Sequence, residues 1–370
     1  MEFVIEKNQL LKSLGIIQGV CGRKLVVPVL AMVYIEASQD GTVSFQGTDM
    51  EIWLKTTVKA DVTSPGVAMV SAKKFYEIVK LFPEMPVTMK LSDSNRLNVR
   101  CGKSYFRLLG TEEVEFPKVV EPTCQFFEVS SKLFKDLIDK TSFAASDEAY
   151  KFNINGVFVV SEDGLLRMVA TDGKQLALVE KEGNIPDLAG GCLIPKSGLQ
   201  EVAKNIEGDK LQIGFVLGGE NQSPYVYFKS GGLMIAVRLP SDIEFPNYKK
   251  IIPSGEIVPI VVGKTALYEP MQRVGTLTSD KQESIMATLQ PGLLRSEAKD
   301  KDFGEGADET EVNYSGEEIV LGINVGHFLE ILNHIEGDKV SVLILGTKKP
   351  VVIMPEKEKN QIYVIMPMKI

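Results

Sequence analysis

The chain alternates between stretches of helical and of strand-like apolar spacing, and the same alternation returns further along. Two stretches place apolar residues at i, i+3, i+4 and i+7, the spacing of one helix face: Leu199, Val202, Ala203 and Ile206, and Phe328, Ile331, Leu332 and Ile335. Each is followed by apolar residues at every second position (211, 213 and 215; 340, 342 and 344), which predicts a half-buried strand. The residues between helix and strand are identical, IEGDK at 206–210 and at 335–339, and their glycine and aspartate favour a helix end and a turn.

These matching stretches are copies of one unit, because their spacing is constant. The two pentapeptides lie 129 residues apart, and so do two Glu-Phe-Pro triplets at 115–117 and 244–246. A diverged third copy of the helical pattern comes earlier, at Phe75, Ile78, Val79 and Phe82. A period of this length is that of a domain and is too long for a solenoid repeat. The sequence therefore predicts three tandem domains, 1–121, 122–253 and 254–370.

Each copy is predicted to be an α+β domain with two helices and about eight short strands, the sheets outside and the helices on one face. Turns between strands are predicted at Asp49, Asp172 and Asp300, the last within an acidic loop over residues 300–309. Ser71 and Ser130 are predicted helix N-caps. The last helix is predicted to begin near residue 324, and the chain to end on a strand over residues 362–366.

Composition excludes several classes of protein. Of the 370 residues, 44% are hydrophobic, which is enough for packed cores and excludes global disorder. No apolar run is long enough to cross a bilayer, and the N-terminus lacks the layout of a signal peptide. Cys21, Cys101, Cys124 and Cys192 show no metal or disulfide spacing, as expected of reduced thiols in the cytoplasm. With a net charge of −8, any contact with nucleic acid requires basic residues gathered on one face.

No catalytic, metal or cofactor site is predicted. The two histidines, His327 and His334, lie beside the apolar face of the last helix. Because no Cys or His stands at metal-ligand spacing from them, they are predicted to be satisfied surface histidines. Residues 263–265 (GKT) match the last three positions of the phosphate-binding loop motif, but Val258 occupies the position where that motif needs its first glycine. Residues 300–304 carry a glycine one position too early for a calcium loop, so a hairpin turn is favoured. The protein is predicted not to be an enzyme.

The predicted helices are more basic than the chain as a whole. The lysines of the first four are Lys7 and Lys12; Lys73, Lys74 and Lys80; Lys132, Lys135 and Lys140; and Lys196 and Lys204. Two interpretations stay open: solvated helix faces, or a basic surface that faces phosphates. Three similar domains with short linkers also suggest a curved arrangement, and two such chains joined head to tail would close a ring.

Four motifs, in order along the chain, carry a resemblance to a known family. They are residues 169–173 (VATDG), 245–253 (FPNYKKIIP), 313–316 (NYSG) and 363–370 (YVIMPMKI). With them the sequence resembles, from end to end, the bacterial sliding clamps, the β subunits of DNA polymerase III. The resemblance implies the clamp (processivity) fold: three tandem domains with helices lining the inner face and β-sheets outside, in a head-to-tail homodimeric ring.

The resemblance also implies a function and partners. A sliding clamp encircles double-stranded DNA without reading its sequence, and it tethers the DNA polymerase III catalytic subunit and other proteins with a clamp-binding motif. A clamp loader opens the ring with ATP, while the clamp itself hydrolyses nothing and needs no cofactor, metal or membrane. Topology then retains the DNA, so a basic inner surface need supply only weak contacts. The alternative is a diverged ring-shaped scaffold that binds proteins but never holds DNA.

In this family, partner proteins dock in a hydrophobic cleft between the second and third domains. By motif position its lining here would be Ile154, Thr171, Gly173, Lys174, Gln175, Leu176, Pro246, Lys250, Ile251, Val364, Ile365, Met366, Pro367 and Met368. Methionines make an adaptable apolar wall for different peptides. Lys174-Gln175 stands where the family often has His-Arg, and Lys369-Ile370 where it often has Arg-Leu. Because lysine does not reproduce a planar guanidinium contact, we expect the selectivity of the cleft to differ.

The resemblance points to two further sets of residues. DNA contacts would come from Arg23, Lys24, Lys151, Phe152 and Lys196, with Asp147 and Glu148 close enough to weaken them. In the dimer, Lys74, Phe106 and Leu108 of the first domain would face Leu277 and the acidic Asp302 or Glu305 of the third. This would be an apolar centre flanked by charge pairs, in a heterologous contact that closes.

Overall fold

The computed structural model describes residues 1–23, 27–92, 94–110, 115–118, 121–146, 154–183, 185, 188, 190–218, 223–241, 244–253, 259–278 and 284–369. Within these ranges the chain forms helices α1 to α6 and strands β1 to β25, in nearly the same order three times. No helix in these ranges is long and apolar enough to cross a membrane.

Each copy contributes two α-helices and a set of short strands. The first holds β1 (Glu2–Ile5), α1 (Lys7–Ile17), β2 (Met32–Ala37), β3 (Thr42–Thr48), β4 (Ile52–Lys59), β5 (Asp61–Ser64), β6 (Gly66–Ser71), α2 (Ala72–Lys80), β7 (Val87–Leu91), β8 (Arg96–Cys101) and β9 (Ser104–Leu109). The second holds β10 (Phe126–Ser130), α3 (Ser131–Ser142), β11 (Gly156–Glu162), β12 (Leu165–Thr171), β13 (Gln175–Glu182), β14 (Cys192–Pro195), α4 (Lys196–Asn205), β15 (Lys210–Val216), β16 (Tyr225–Ser230) and β17 (Leu233–Arg238). The third holds β18 (Ile260–Gly263), α5 (Lys264–Gly275), β19 (Ser284–Gln290), β20 (Leu293–Asp300), β21 (Gly304–Glu311), β22 (Ile319–Asn324), α6 (Val325–His334), β23 (Lys339–Ile344), β24 (Val351–Pro355) and β25 (Gln361–Ile365). Short 3₁₀ turns lie at Pro28–Ala31 and Tyr248–Lys250.

The described residues form two compact units, 1–134 with 197–241 and 135–196 with 242–370. The first contains an eight-stranded sheet, β10-β15-β16-β17-β4-β3-β2-β6, and a five-stranded sheet, β5-β1-β7-β8-β9. The second contains an eight-stranded sheet, β14-β11-β12-β13-β25-β24-β23-β18, and a four-stranded sheet, β21-β20-β19-β22. Each eight-stranded sheet takes four strands from one copy and four from the next. The two units therefore cut across the three copies.

Two antiparallel strand pairs join neighbouring copies in these sheets. Strand β4 pairs with β17, with Ile52 opposite Val237, and β13 pairs with β25, with Gln175 opposite Ile365. We call these pairs the first joint and the second joint. Because every backbone group of a central strand is paired, such a joint is as continuous as the sheet within one copy.

The helices follow the predicted periodicity. The buried apolar residues of α2, α4 and α6 include Phe75 and Val79, Leu199 and Val202, and Phe328, Ile331 and Leu332. Both pentapeptides leave their helix through a left-handed glycine, Gly208 (φ 75°) and Gly337 (φ 94°). Their glutamates also act alike. Glu207 pairs with Lys12 of α1, and Glu336 lies 3.4 Å from the ammonium of the buried Lys140 of α3, which Asp136 also contacts at 2.8 Å.

Two local predictions are wrong. The acidic loop over 300–309 is a tight hairpin, because β20 continues to Asp300 and β21 begins at Gly304. The Ser71 side chain makes no capping hydrogen bond to α2. The predicted cap at Ser130 is confirmed, since its hydroxyl accepts from Leu133 N at 3.4 Å. The last helix begins after Asn324, as predicted, and the Asn324 side chain caps it by accepting from His327 N at 2.9 Å.

Candidate functional site

The same aspartate turn recurs once in each copy. In each, the aspartate Oδ1 accepts backbone N–H groups two and three residues further on, at 2.8 to 3.2 Å: Asp49 from Glu51 and Ile52, Asp172 from Lys174 and Gln175, and Asp300 from Asp302 and Phe303. An Asp side chain is suited to this role because it closes a turn without a second chain. The three turns therefore fix which positions of the copies correspond.

The turn of the second copy carries five of the residues predicted for the cleft. The Thr171 hydroxyl donates to Gln175 O at 2.6 Å and accepts from Gly173 N at 3.0 Å. Gly173 has φ 86°, a conformation that favours glycine. Lys174 is exposed, whereas Thr171, Gln175 and Leu176 are buried. The turn is thus rigid at its base and open to solvent at its tip.

The C-terminal strand is bonded directly to this turn. At the second joint, Leu176 pairs with Val364, and Met366 N donates to Lys174 O at 2.8 Å. The tail continues to Met368, whose N–H donates to Gly322 O at 2.9 Å. The side chains of Met366 and Met368 are 40% and 39% exposed. The structure therefore brings the turn and the predicted tail residues together.

An apolar cluster lies under the second joint. Its buried members are Val169, Leu176, Leu178, Tyr248, Val352 and Val364, and Phe158, Phe245, Ile251 and Ile252 pack against it. The Phe245 ring stacks on Phe158 with centroids 4.7 Å apart, which fixes the segment that carries Pro246, Lys250 and Ile251. Apolar side chains beside exposed methionines and a few polar backbone groups form a surface that suits an extended peptide.

Several residues of this site were not predicted from the sequence. Tyr248 is a buried member of the apolar cluster, and Phe158 packs against it. In the sequence, each is an aromatic residue within a strand or motif for which no packing partner was predicted. Arg167 donates to Glu180 at 2.7 Å and to the Tyr248 hydroxyl at 3.3 Å. Burial would lower the pKa of Arg167, but these hydrogen bonds outweigh burial and raise it. The predicted Ile154 is buried and lies just before β11.

The residues predicted to contact DNA have different outcomes. Lys24, Lys151 and Phe152 lie outside the described residues. Arg23 is paired with Glu201 and lies 3.7 Å from Asp49, both of which are buried, so its charge is largely compensated within the chain. The Lys196 ammonium donates to Ala145 O at 3.3 Å. The described part of the chain therefore shows the surroundings of Arg23 and Lys196 separately, each with a partner within its own compact unit.

Three of the residues predicted for the dimer contact lie on two sheet edges, and the other three lie on a helix or in turns. Phe106 and Leu108 belong to β9, the end strand of the five-stranded sheet, and Glu305 belongs to β21, the end strand of the four-stranded sheet. Asp302 is exposed in the turn before β21, and Leu277 packs there, since a Cβ at Gly306 would lie 2.7 Å from its Cδ1. Lys74 is exposed on α2, with its ammonium 2.8 Å from Glu77. An unpaired strand edge with apolar side chains favours pairing with another chain.

The two histidines are not free surface groups. His327 Nε2 lies 3.7 Å from Asp172 Oδ2. His334 Nδ1 lies 3.3 Å from Asp139 Oδ2, and its ring stacks on Phe143 at 4.3 Å. Both rings have an aspartate partner and stay partly exposed, at 17% and 22%, which agrees with the prediction of satisfied surface histidines. Among the described residues, no group of three or more His, Cys, Asp or Glu side chains is arranged to hold a metal ion.

Comparison with known proteins covers nearly the whole chain. The family model "DNA polymerase III beta subunit, N-terminal domain" matches residues 1–120, the central-domain model matches 128–247, and the C-terminal-domain model matches 249–369. The beta sliding clamp of Pseudomonas aeruginosa is 29% identical over 375 residues, and that of Escherichia coli is 26% identical over 372, each alignment covering 100% of both chains.

Solved structures give the same result. A DNA polymerase sliding clamp from Pseudomonas aeruginosa, crystallised with ligand, is 28% identical and superposes with a TM-score of 0.92. A sliding clamp from Bartonella birtlesii, bound to griselimycin, is 26% identical with a TM-score of 0.91. Both comparisons cover 100% of each chain.

Proposed function

The chain belongs to the DNA polymerase III beta subunit family, and from that premise we propose which of its residues hold a partner peptide, a second subunit and DNA. It is a sliding clamp: a non-catalytic processivity factor that encircles duplex DNA and tethers the polymerase. Its fold is that of three tandem clamp domains. The domains are 1–121, 122–253 and 254–370. Supporting this, β9 ends at Leu109 before β10 starts at Phe126, and β17 ends at Arg238 before β18 starts at Ile260.

Partner peptides bind in the cleft at the second joint, on the residues predicted from the sequence. The observation that carries this is the apolar cluster together with the tail that follows its member Val364. That tail holds two exposed methionines, Met366 and Met368, whose N–H groups donate to Lys174 O and Gly322 O. A peptide that covers those methionines would bury apolar surface that the chain alone leaves in water.

Removing residues 366–370 tests the cleft. We expect the truncated protein to lose binding of a fluorescein-labelled peptide from the clamp-binding segment of the polymerase III catalytic subunit, measured by anisotropy. Its sedimentation as a dimer should be unchanged, because the proposed dimer edges lie on β9 and β21. Peptide affinity equal to that of the full chain would refute the assignment.

The internal repeats specify a head-to-tail dimer. The first joint pairs the strand after the Asp49 turn with β17, and the second pairs the strand after the Asp172 turn with β25. The strand after the Asp300 turn is β21, and the strand that corresponds to β17 is β9. Both β21 and β9 lie at the end of their sheets. A third joint of the same kind therefore forms between β21 of one subunit and β9 of the other, and two such joints close a ring.

The register of this third joint follows from the other two. Arg238 N donates to Glu51 O at 2.8 Å in the first joint, as Met366 N does to Lys174 O in the second. The corresponding donor is Leu109 and the corresponding acceptor is Asp302. Leu108 then lies opposite Phe303, and Phe106 opposite Glu305. Phe303 and Leu109 are 66% and 72% exposed, as expected of apolar side chains that a second subunit covers.

The same correspondence places a charge pair beside this joint. His327 of α6 lies against Asp172, and the residue of α2 that corresponds to His327 is Lys74. Lys74 of one subunit thus faces the Asp300 turn of the other, at the rim of the apolar strands. Lys74→Glu should raise the dissociation constant of the dimer about fivefold, which corresponds to about 1 kcal/mol. The exposed neighbour Lys73 gives a matched control, Lys73→Glu.

Disulfide cross-linking tests the register. In a protein with Leu108→Cys and Phe303→Cys, the two new thiols should lie close enough across the joint to form a disulfide between subunits, giving a covalent dimer on a non-reducing gel. The pair Phe106→Cys and Phe303→Cys, displaced by two residues, is the control and should cross-link poorly. Efficient cross-linking of the control pair alone would refute the register.

DNA contacts come from Lys24, Lys151, Phe152 and Lys196, with Arg23 contributing less because Glu201 and Asp49 compensate its charge. Such contacts need only be weak, since a closed ring retains DNA by topology. We propose that the protein acts in the cytoplasm, which its four free cysteines support. Salt-dependent binding to a short duplex, compared between the native protein and Lys196→Glu, tests the assignment. Identical salt dependence of the two proteins would exclude Lys196.

A further inference from the structure

A cavity of about 630 Å³ lies at the first joint, between α1 and the eight-stranded sheet of the first compact unit. Its floor is the joint itself, where Thr56 of β4 pairs with Leu233 of β17. Helix α1 forms one wall, and the turn after α4 together with the β16–β17 hairpin forms the other. The cavity is therefore separate from the partner cleft, which lies at the second joint.

The cavity combines apolar side chains with one buried hydroxyl that has no partner. Ile16, Val58 and Leu233 supply the apolar part of the lining. Thr56 is only 4% exposed, and its Oγ1 makes no hydrogen bond to any residue that the structure describes. Because a buried hydroxyl is unfavourable without a hydrogen bond, Thr56 favours a ligand that brings a hydrogen-bonding group into the cavity.

The charged side chains of the cavity lie at its mouth and are paired. Lys12 contacts Glu207, and the Lys210 ammonium lies 2.8 Å from Glu128 Oε1. All four side chains are largely exposed, so these ion pairs lie in water. A charged ligand would have to give up its hydration to reach the apolar floor, whereas an uncharged ligand would not. The cavity therefore favours an uncharged ligand.

The second joint shows the corresponding wall closed by the side chains of the protein itself. Helices α1 and α3 begin at residues 7 and 131, which are 124 apart, so Ser13 corresponds to Leu137 and Ile16 to Lys140. Leu137 and Lys140 are both buried, and the Lys140 ammonium lies 3.4 Å from Glu336. The shorter Ser13 and Ile16 leave this space open at the first joint.

The floor and the opposite wall differ in the same sense. Thr56 corresponds to Val179, since each is the seventh residue after the turn aspartate of its copy. Asn205 corresponds to His334, since each directly precedes the repeated pentapeptide, and the His334 ring stacks on Phe143. The second joint thus holds an aromatic pair beside an apolar floor, where the first joint holds an amide and a hydroxyl.

Glycines give the cavity flat walls. Gly208 and Gly231 both line it, and a Cβ at either position would meet no atom within 4 Å. Their peptide planes are therefore exposed to the cavity, and a planar ring can pack against them. An apolar floor between flat walls suits an aromatic ligand better than a branched aliphatic one.

We propose that this cavity is a binding site for a small uncharged aromatic molecule with one hydrogen-bonding group, which Thr56 receives. A volume of this order lies within the range of small-molecule sites in proteins. The ligand contacts α1 of the first copy and the hairpin of the second copy, so it stabilises the first joint when it binds. The site does not depend on the partner cleft.

The experiment uses indole as the probe and 1-methylindole, which lacks the N–H donor, as its matched control. Binding is measured by saturation-transfer NMR, and we expect a dissociation constant for indole on the order of 1 mM, which is usual for so small a ligand. Thr56→Val, the residue of the second copy, should weaken indole at least about fivefold and leave 1-methylindole unchanged. Ser13→Leu, which copies Leu137, should abolish the binding of both.

A second set of measurements locates the probe. Indole should bind equally well to the native protein, to the protein saturated with the polymerase-derived peptide and to the protein that lacks residues 366–370. Ile16→Phe, at a half-exposed position of the same wall, should also prevent indole binding, and it replaces Ser13→Leu if circular dichroism shows that variant to be unfolded.

Each contrary result would overturn the site. No saturation transfer to indole up to about 10 mM, a concentration well above the expected dissociation constant, would show that the cavity takes no such ligand. Competition by the peptide would place the probe in the partner cleft instead. Native affinity in folded Ser13→Leu or Ile16→Phe would place it elsewhere on the protein, and equal weakening of both probes by Thr56→Val would exclude the hydrogen bond.

Discussion

Phe245→Ala should weaken both the fold and the partner cleft. The Phe245 ring stacks on Phe158 at 4.7 Å with 7° between the ring planes, and it meets the edge of Tyr248 at 6.3 Å. A fully buried Phe→Ala substitution costs about 3–5 kcal/mol. Phe245 is only half-buried, so the substitution should cost about 2–3 kcal/mol, of which about 1 kcal/mol comes from the aromatic contacts.

The effect on the cleft follows from what Phe245 anchors. The ring fixes one end of the segment that carries Pro246, Lys250 and Ile251, and the apolar cluster beneath it is the floor of the cleft. Without the ring the segment loses its fixed position, and the peptide has to order it on binding. We expect affinity for the polymerase-derived peptide to fall about tenfold, or about 1.4 kcal/mol.

The repeat supplies the control for this prediction. Phe116, in the first Glu-Phe-Pro triplet, stacks on Tyr34 at 5.1 Å and is more deeply buried than Phe245. Phe116→Ala should therefore destabilise the protein by at least as much in urea unfolding, while peptide affinity stays within about twofold of native. Equal loss of peptide affinity in both variants, or native affinity in Phe245→Ala, would show that Phe245 does not anchor the cleft.

Three further predictions concern single sites. Gly322→Ala should weaken peptide binding severalfold without changing the unfolding temperature. The reason is that a Cβ at position 322 would lie 2.8 Å from Met368 O and displace the tail. Unchanged peptide binding would contradict this. Burial raises the pKa of Cys21 and of Cys192 to about 12, so neither thiol should react with iodoacetamide at pH near 8 until the protein unfolds, as peptide mapping can show. Burial would lower the pKa of Lys140, but its two carboxylate partners outweigh burial and raise it. Lys140→Ala should therefore lower the free energy of unfolding in denaturant by about 1–2 kcal/mol. A cost near zero would show that these ion pairs do not stabilise the fold.

The helices and the repeats could be predicted because their signals are local. The apolar spacing that indicates a helix face spans only about eight residues, and an identical pentapeptide can be recognised by comparing the sequence with itself. The strand β21 shows the limit. Its sequence, GEGADETE, shows no alternation of apolar and polar residues. The exposed positions hold Glu305, Ala307 and Glu309, a composition that is equally typical of a loop. Only its pairing with β20 makes it a strand, and pairing is a property of two segments.

The joints and the histidine contacts could not be predicted because their partners are distant in sequence. Nothing near Ile52 specifies Val237 as its neighbour in the sheet. His334 and Asp139 are 195 residues apart, so a sequence pattern shows the histidine without the aspartate that buries and orients it. Cleft residues such as Lys174 were named from family resemblance. The turn at Asp172 was predicted from the sequence, but the hydrogen bonds by which Asp172 positions Lys174 became visible only in the structure.

Retention on DNA tests most directly whether this chain acts by encirclement. The protein is loaded by its clamp loader onto nicked circular duplex and separated from free protein by gel filtration, before and after the circle is cut once. We expect the protein to remain on the intact circle and to be lost within minutes of linearisation, because a closed ring can leave only over an end. Equal loss from circular and linear DNA would contradict it.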